Sequence, residues 1–120
     1  MKHGHEKETP IPKEWRTVVI AILRSGDKSR IFTTQQADRD WGATCPNAWL
    51  GDRHKAMADA LERDEISGRH IINMEPPCDT YEFWFLFDER RFLGKIGLRS
   101  DGRLIIIFSS HIPRKGEDRL

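Results

Sequence analysis

After Gly68 the chain leaves the helical period for the period of a strand, and that change restricts it to folds in which helices cover one side of a sheet. Tyr81, Phe83, Phe85 and Phe87 alternate with Glu82, Trp84 and Leu86, the two-residue repeat of a strand with two different faces. Asp88-Glu89-Arg90-Arg91 supplies a turn, residues 92–98 a second strand, Ser100-Asp101-Gly102 another turn, and residues 103–110 a third strand. Residues 70–74, ended by Pro76-Pro77, read as one more. The second half is thus expected to be an antiparallel sheet of about four strands.

Upstream, the spacing is helical. Residues 1–10 are polar and end at Pro10, so they read as a flexible tail ahead of one domain over 11–120. Pro12 suits the first position of a helix, and Trp15, Val18, Val19, Ile22 and Leu23 recur on one face until Ser25-Gly26. Thr33-Thr34 offers an N-cap for a short second helix ending near Gly42. Leu50, Met57, Ala60 and Leu61 mark the apolar side of a third, whose polar side carries Asp52, Lys55, Asp59, Glu62 and Arg63 and which Ser67-Gly68 closes. Helices followed by antiparallel strands predict an α+β fold with the helices on one sheet face.

Composition excludes several classes. A chain of 120 residues supports a single core, and a formal net charge of +1 announces no general basic surface, so any anion site must come from local clustering. The longest apolar runs, 18–23 and 104–108, fall well short of the roughly 20 residues that cross a bilayer. The charged N-terminus lacks the apolar segment of a secretory signal, and Cys45 and Cys78 show no CxxC spacing, so reduced thiols in a cytoplasmic protein are expected. His54 and His70 lack metal-ligand spacing, and no glycine-rich phosphate loop or nucleophile elbow occurs. Neither a metal nor a cofactor is expected.

Strand pairing then sorts the side chains. A two-residue turn at Glu89-Arg90 sets Phe87 opposite Phe92, Phe85 opposite Gly94 and Phe83 opposite Ile96 on the helix-covered face, leaving Glu82, Trp84, Leu86, Leu93 and Lys95 on the other, with Trp84 beside Lys95. A three-residue loop at Ser100-Asp101-Gly102 puts Leu104, Ile106 and Phe108 in the core and Ser109 and His111 with Lys95. A loop of two or four residues reverses that parity and puts Ser110 there instead.

A lysine in mid-strand requires an explanation, and its expected neighbours offer one. Ribonucleic acid is cut without a metal when a base removes the 2′-hydroxyl proton, an acid protonates the leaving 5′-oxygen and cations stabilise the charged phosphorane. His111 suits the base or acid, Glu82 the complementary group, Lys95 and Arg114 the phosphate cations, with Ser109 beside them. Trp84 is placed to stack on a base, with Ser110 and Lys115 as further RNA contacts. The same residues also fit a plainer reading: a solvated lysine, a surface histidine, a charged tail at Arg114-Lys115, and a Trp84–Glu82 surface for a protein or nucleic-acid partner in a non-enzymatic binding module.

The stretch 81–115 resembles small bacterial toxins of toxin–antitoxin systems that have the fold shared by barnase, EndoU, the RNA-cleaving colicins and RelE. The resemblance lies in the helices-then-sheet order and in Gly94-Lys95-Ile96 followed by an apolar strand into Ser109-Ser110-His111, Pro113 and Arg114. It implies metal-independent cleavage of messenger or transfer RNA by a protein that a cognate antitoxin holds inactive.

Overall fold

A computed structural model describes residues 8–63 and 65–113. Its three helices are α1 Lys13–Ser25, α2 Gln35–Thr44 and α3 Leu50–Leu61; its strands are β1 Thr9–Pro10, β2 Ile31–Thr33, β3 Ser67–Ile71, β4 Asp79–Phe87, β5 Arg90–Leu98 and β6 Ile105–His111. The α+β class is as the periodicity predicts.

Each helix follows from local chemistry. In α1, Trp15, Val19, Ile22 and Leu23 share the buried face, and Gly26, at φ 67°, ends it in the left-handed conformation that glycine adopts without steric cost. Pro12 is the N-cap of α1 and not its first helical residue. Thr34 caps α2, its Oγ1 accepting from Ala37 N at 3.0 Å, and the helix runs past Gly42 to Thr44. In α3 the Asp52 carboxylate accepts from Trp49 N at 2.9 Å, closing the first turn. Ser67 and Gly68, expected to stop α3, lie in β3, since the helix ends at Leu61. Arg16 ties these parts together: its Nε donates to Ile11 O at 3.1 Å and its Nη1 to Leu61 O at 3.0 Å.

The sheet differs from the expectation in two respects. Among the described residues it has six strands, not about four, in the order β1-β3-β4-β5-β6-β2, and it is mixed because β2 lies parallel to β6. Thr9 and Pro10, read from sequence as the end of a tail, pair with Gly68 and Ser67. Both added strands are too short to display a two-residue period, so pairing partners far along the chain create them.

Register decides which side chains meet. The β4–β5 turn is Asp88-Glu89, both at positive φ, 54° and 63°, and it sets Phe87 opposite Arg90. This is two residues from the expected pairing. A slip of two preserves parity, so Phe83, Phe85, Phe92 and Ile96 still face the helices while Glu82, Trp84, Leu86, Leu93 and Lys95 lie opposite.

At the next turn Leu98 pairs with Ile105, and Arg99 N donates to Leu104 O at 3.1 Å, giving a loop longer than three residues. Ile105 and Ile107 therefore occupy the core in place of the expected Leu104, Ile106 and Phe108. A bulge then intervenes, because Ile96 pairs with Ile107 but Lys95 pairs with Ser109, which leaves Phe108 as the extra residue. The bulge reverses parity once more, so Ser109 and His111 come back to the side of Lys95.

Between sheet and helices lies an aromatic core in which Trp41 packs on Phe87 at 5.0 Å, Phe92 at 5.1 Å and Phe85 at 6.3 Å between ring centroids. Among the described residues, no helix is long and apolar enough to cross a membrane.

Candidate functional site

On the sheet face turned away from the helices, the register aligns one row across four strands: Arg69, Glu82, Lys95 and Ser109 on β3, β4, β5 and β6. Directly opposed residues hold their Cβ atoms about 5 Å apart, so cation, carboxylate, cation and hydroxyl follow one another across the sheet. The next row is Trp84, Leu93 and His111. His111 is therefore diagonal to Lys95, about 7 Å away in backbone terms and within reach of a long ammonium chain.

Glu82 has left the place the sequence assigned it. The expected pairing set Trp84 beside Lys95; the observed one brings Glu82 there and moves Trp84 next to Leu93. Arg69 Nη2 donates to Glu82 Oε1, and both side chains of that ion pair are largely buried. A buried carboxylate needs such a partner, since an unpaired one would be costly to desolvate. Arg69 escapes the sequence reading because the apolar pattern there begins only at His70, whereas the strand is already under way.

His111 is only 6% exposed, and Leu93 and Arg69 on this face are buried as well. Its Nδ1 lies 2.8 Å from Ile112 O, and since a carbonyl only accepts, Nδ1 carries a proton. Lys95 and Ser109 are half-buried. Trp84 is half-buried with the Arg91 guanidinium 4.0 Å from its ring centroid, a cation–π contact that occupies one face of the indole. Arg114 and Lys115 lie outside the described residues.

Ser110 points the other way. It pairs with Gly94 beneath the helices and is fully buried, its Oγ donating to Ala37 O at 3.0 Å and accepting from Arg53 Nη1 at 3.2 Å. Buried on the helix side, Ser110 does not share the face of Lys95, where contact with RNA is expected.

Arg53 centres a polar cluster that sequence reasoning did not find. The side chain is 0% exposed on α3, where Nη1 reaches Asp38 Oδ1 at 3.0 Å and Nη2 lies 3.1 Å from His54 Nε2. Thr33 Oγ1 donates to Asp38 Oδ2 at 2.7 Å. Burial pulls Arg53 below the usual guanidinium range, and Asp38 opposes that effect. His54 is pushed down to about 4, first by burial and then by the Arg53 charge. The signal was present: Arg53 falls three after Leu50 and four before Met57, a cation inside an apolar stripe. The cluster locks α2, α3 and β6 together and lies on the opposite side of the sheet from Lys95.

Comparison with protein-family models, with curated proteins and with solved structures gave no match.

Proposed function

We propose that this chain is a metal-independent endoribonuclease of the barnase, EndoU, colicin and RelE type, acting in the cytoplasm as the toxin of a toxin–antitoxin pair. The observation that supports this most is the side-by-side placement of Lys95, Ser109 and His111 on the face of β5 and β6 turned away from the helices. In this reading the Lys95 ammonium holds the scissile phosphate, and His111 and Glu82 form the acid–base pair on either side of it. Arg69, next to Glu82, adds a second cation to the row. Atoms balance in transesterification: the 2′-oxygen loses its proton to the base and bonds to phosphorus, the 5′-oxygen leaves and takes a proton from the acid, and a 2′,3′-cyclic phosphate remains. The RNA target class, messenger or transfer, and the antitoxin partner follow from the resemblance of 81–115 and rest on it.

A second reading, a non-enzymatic module that uses this face to hold a protein or nucleic acid, is favoured by the ion pair that already engages Glu82 and by the burial of His111. Expression in a bacterial host separates the two. The nuclease predicts growth arrest with RNA fragmentation, relieved by Lys95→Ala and by His111→Ala while both variants accumulate as folded protein. Equal effects in wild type and variants, or no effect in any, favour the module.

A further inference from the structure

Two loops distant in sequence meet at the far end of the sheet. Because β2 runs parallel to β6, with Ile31 opposite Ile105, the segment Asp27-Lys28-Ser29-Arg30 is brought against the β5–β6 loop. Ile105 N donates to Arg30 O at 2.9 Å and Arg30 Nε donates to Arg103 O at 2.8 Å, so backbone anchors hold the two loops in place. Between them is an open hollow of about 380 Å³ lined by Ser29, Arg30, Arg99, Arg103 and Leu104.

Its charge is unbalanced. Arg99 is gripped by Asp101 through Nε at 3.0 Å and Nη2 at 2.6 Å, and Asp101 also accepts from Arg103 N at 3.0 Å. Those contacts, the Arg99 guanidinium first and then the Arg103 amide, hold the Asp101 carboxyl down to about 2, so it stays ionised, and the Arg103 charge adds to that effect. Among the described residues Arg30 and Arg103 make no carboxylate ion pair, although Asp27 feels the Arg30 charge and Asp101 that of Arg103, so three guanidiniums stand against two carboxylates here. Arg30 and Arg103 both line this hollow and carry like charge, and an anion between them would offset their mutual repulsion. The planar fork of each matches the oxygens of a phosphate. In a chain of net charge +1 this is a local excess of cations and not a share of a general basic surface.

We propose that this hollow binds a backbone phosphate of single-stranded RNA, with the guanidiniums of Arg30 and Arg103 as its ligands. Openness favours a phosphodiester of a passing strand over a free anion, which an exposed site cannot enclose. The choice of RNA as the source rests on the proposed function: β5 carries Lys95 and leads directly into this loop, and four residues of strand put Arg99 about 13 Å from Lys95. The hollow would then hold a phosphate of the same strand, away from the scissile one.

The test uses the full chain with two probes, inorganic phosphate and a single-stranded 2′-O-methyl oligonucleotide, which cannot be cleaved. The oligonucleotide is expected to shift the amides of Arg30, Gly102 and Arg103 saturably. Arg30→Gln and Arg103→Gln should each weaken its binding severalfold, and the double variant should lower the slope of log affinity against log salt by about 0.7, the share of one neutralised phosphate, while Arg103→Lys keeps most of that slope. Unmoved amides, or variants with unaltered affinity and slope, overturn the proposal; shifts with phosphate but not with the oligonucleotide overturn the assignment to RNA. Binding here by a wild-type protein that never cuts RNA would sink the ribonuclease reading and leave this site standing.

Discussion

Replacing His54 with glutamine should make the protein markedly less sensitive to mild acid. The Arg53 guanidinium donates to His54 Nε2 at 3.1 Å, since guanidinium N–H groups have no other role, so the ring is neutral with its proton on Nδ1. Protonating Nε2 would set two donors and two positive charges face to face in a partly buried place. Burial first, and then the Arg53 charge, lower the folded pKa from 6.5 to about 4. As pH falls below the unfolded value, the unfolded chain takes up a proton that the folded chain refuses, and stability present in full above it is lost toward the folded value. The shift corresponds to about 3 kcal/mol in all, of which about 2 kcal/mol disappears between roughly pH 7 and pH 5. Glutamine retains an oxygen acceptor for Arg53 and removes the titration. Urea unfolding of both proteins across that range should show the wild type losing about 2 kcal/mol more than His54→Gln, a difference that cancels the contribution of the carboxylates. Parallel pH profiles, or an imidazole that titrates near 6.5 by NMR, would refute the reasoning.

Three further outcomes are expected. Gly68→Ala should cost about 1–3 kcal/mol in chemical denaturation, because a Cβ there would lie 2.4 Å from the backbone oxygen of Glu82, which cannot yield; Gly51→Ala on α3, with nothing within 4 Å, should be neutral or stabilising. Asp38→Ala leaves the fully buried Arg53 charge without its carboxylate and should cost about 3 kcal/mol, whereas Arg53→Met leaves behind only the partly exposed Asp38 and should cost less, about 1 kcal/mol; thermal denaturation that ranked them the other way would contradict the account of the cluster. Under the proposed function, RNA cleavage should persist in EDTA and leave 2′,3′-cyclic phosphate ends, and activity that vanished on chelation would point to a different chemistry.

The candidate site was legible in part. Alternation alone puts Glu82, Trp84 and Lys95 on one face, and the different turn leaves them there, since a slip of two residues changes neighbours and not faces. Ser109 and His111 reached that face by another route. The expected three-residue loop is absent, and the longer loop alone would have turned both toward the helices; the bulge at Phe108 undoes that reversal. Neither event leaves a mark in the local pattern of apolar residues. Arg53 was readable as a cation in an apolar stripe, but its partners Asp38 and Ser110 come from other elements and no spacing within α3 names them.

Alternation and helical spacing, which depend only on where successive Cβ atoms point along one backbone, were enough to determine the kinds of element, their sequence and most of the division into inner and outer faces. Tertiary structure alone decided that Glu82 and not Trp84 stands beside Lys95, that Arg69 completes the row, and that Arg30 meets Arg103. Those meetings depend on loop conformation and on hydrogen bonds between distant strands. Such bonds join backbone groups that every residue carries, so side-chain identity reveals little of which strand will pair with which, or in what register.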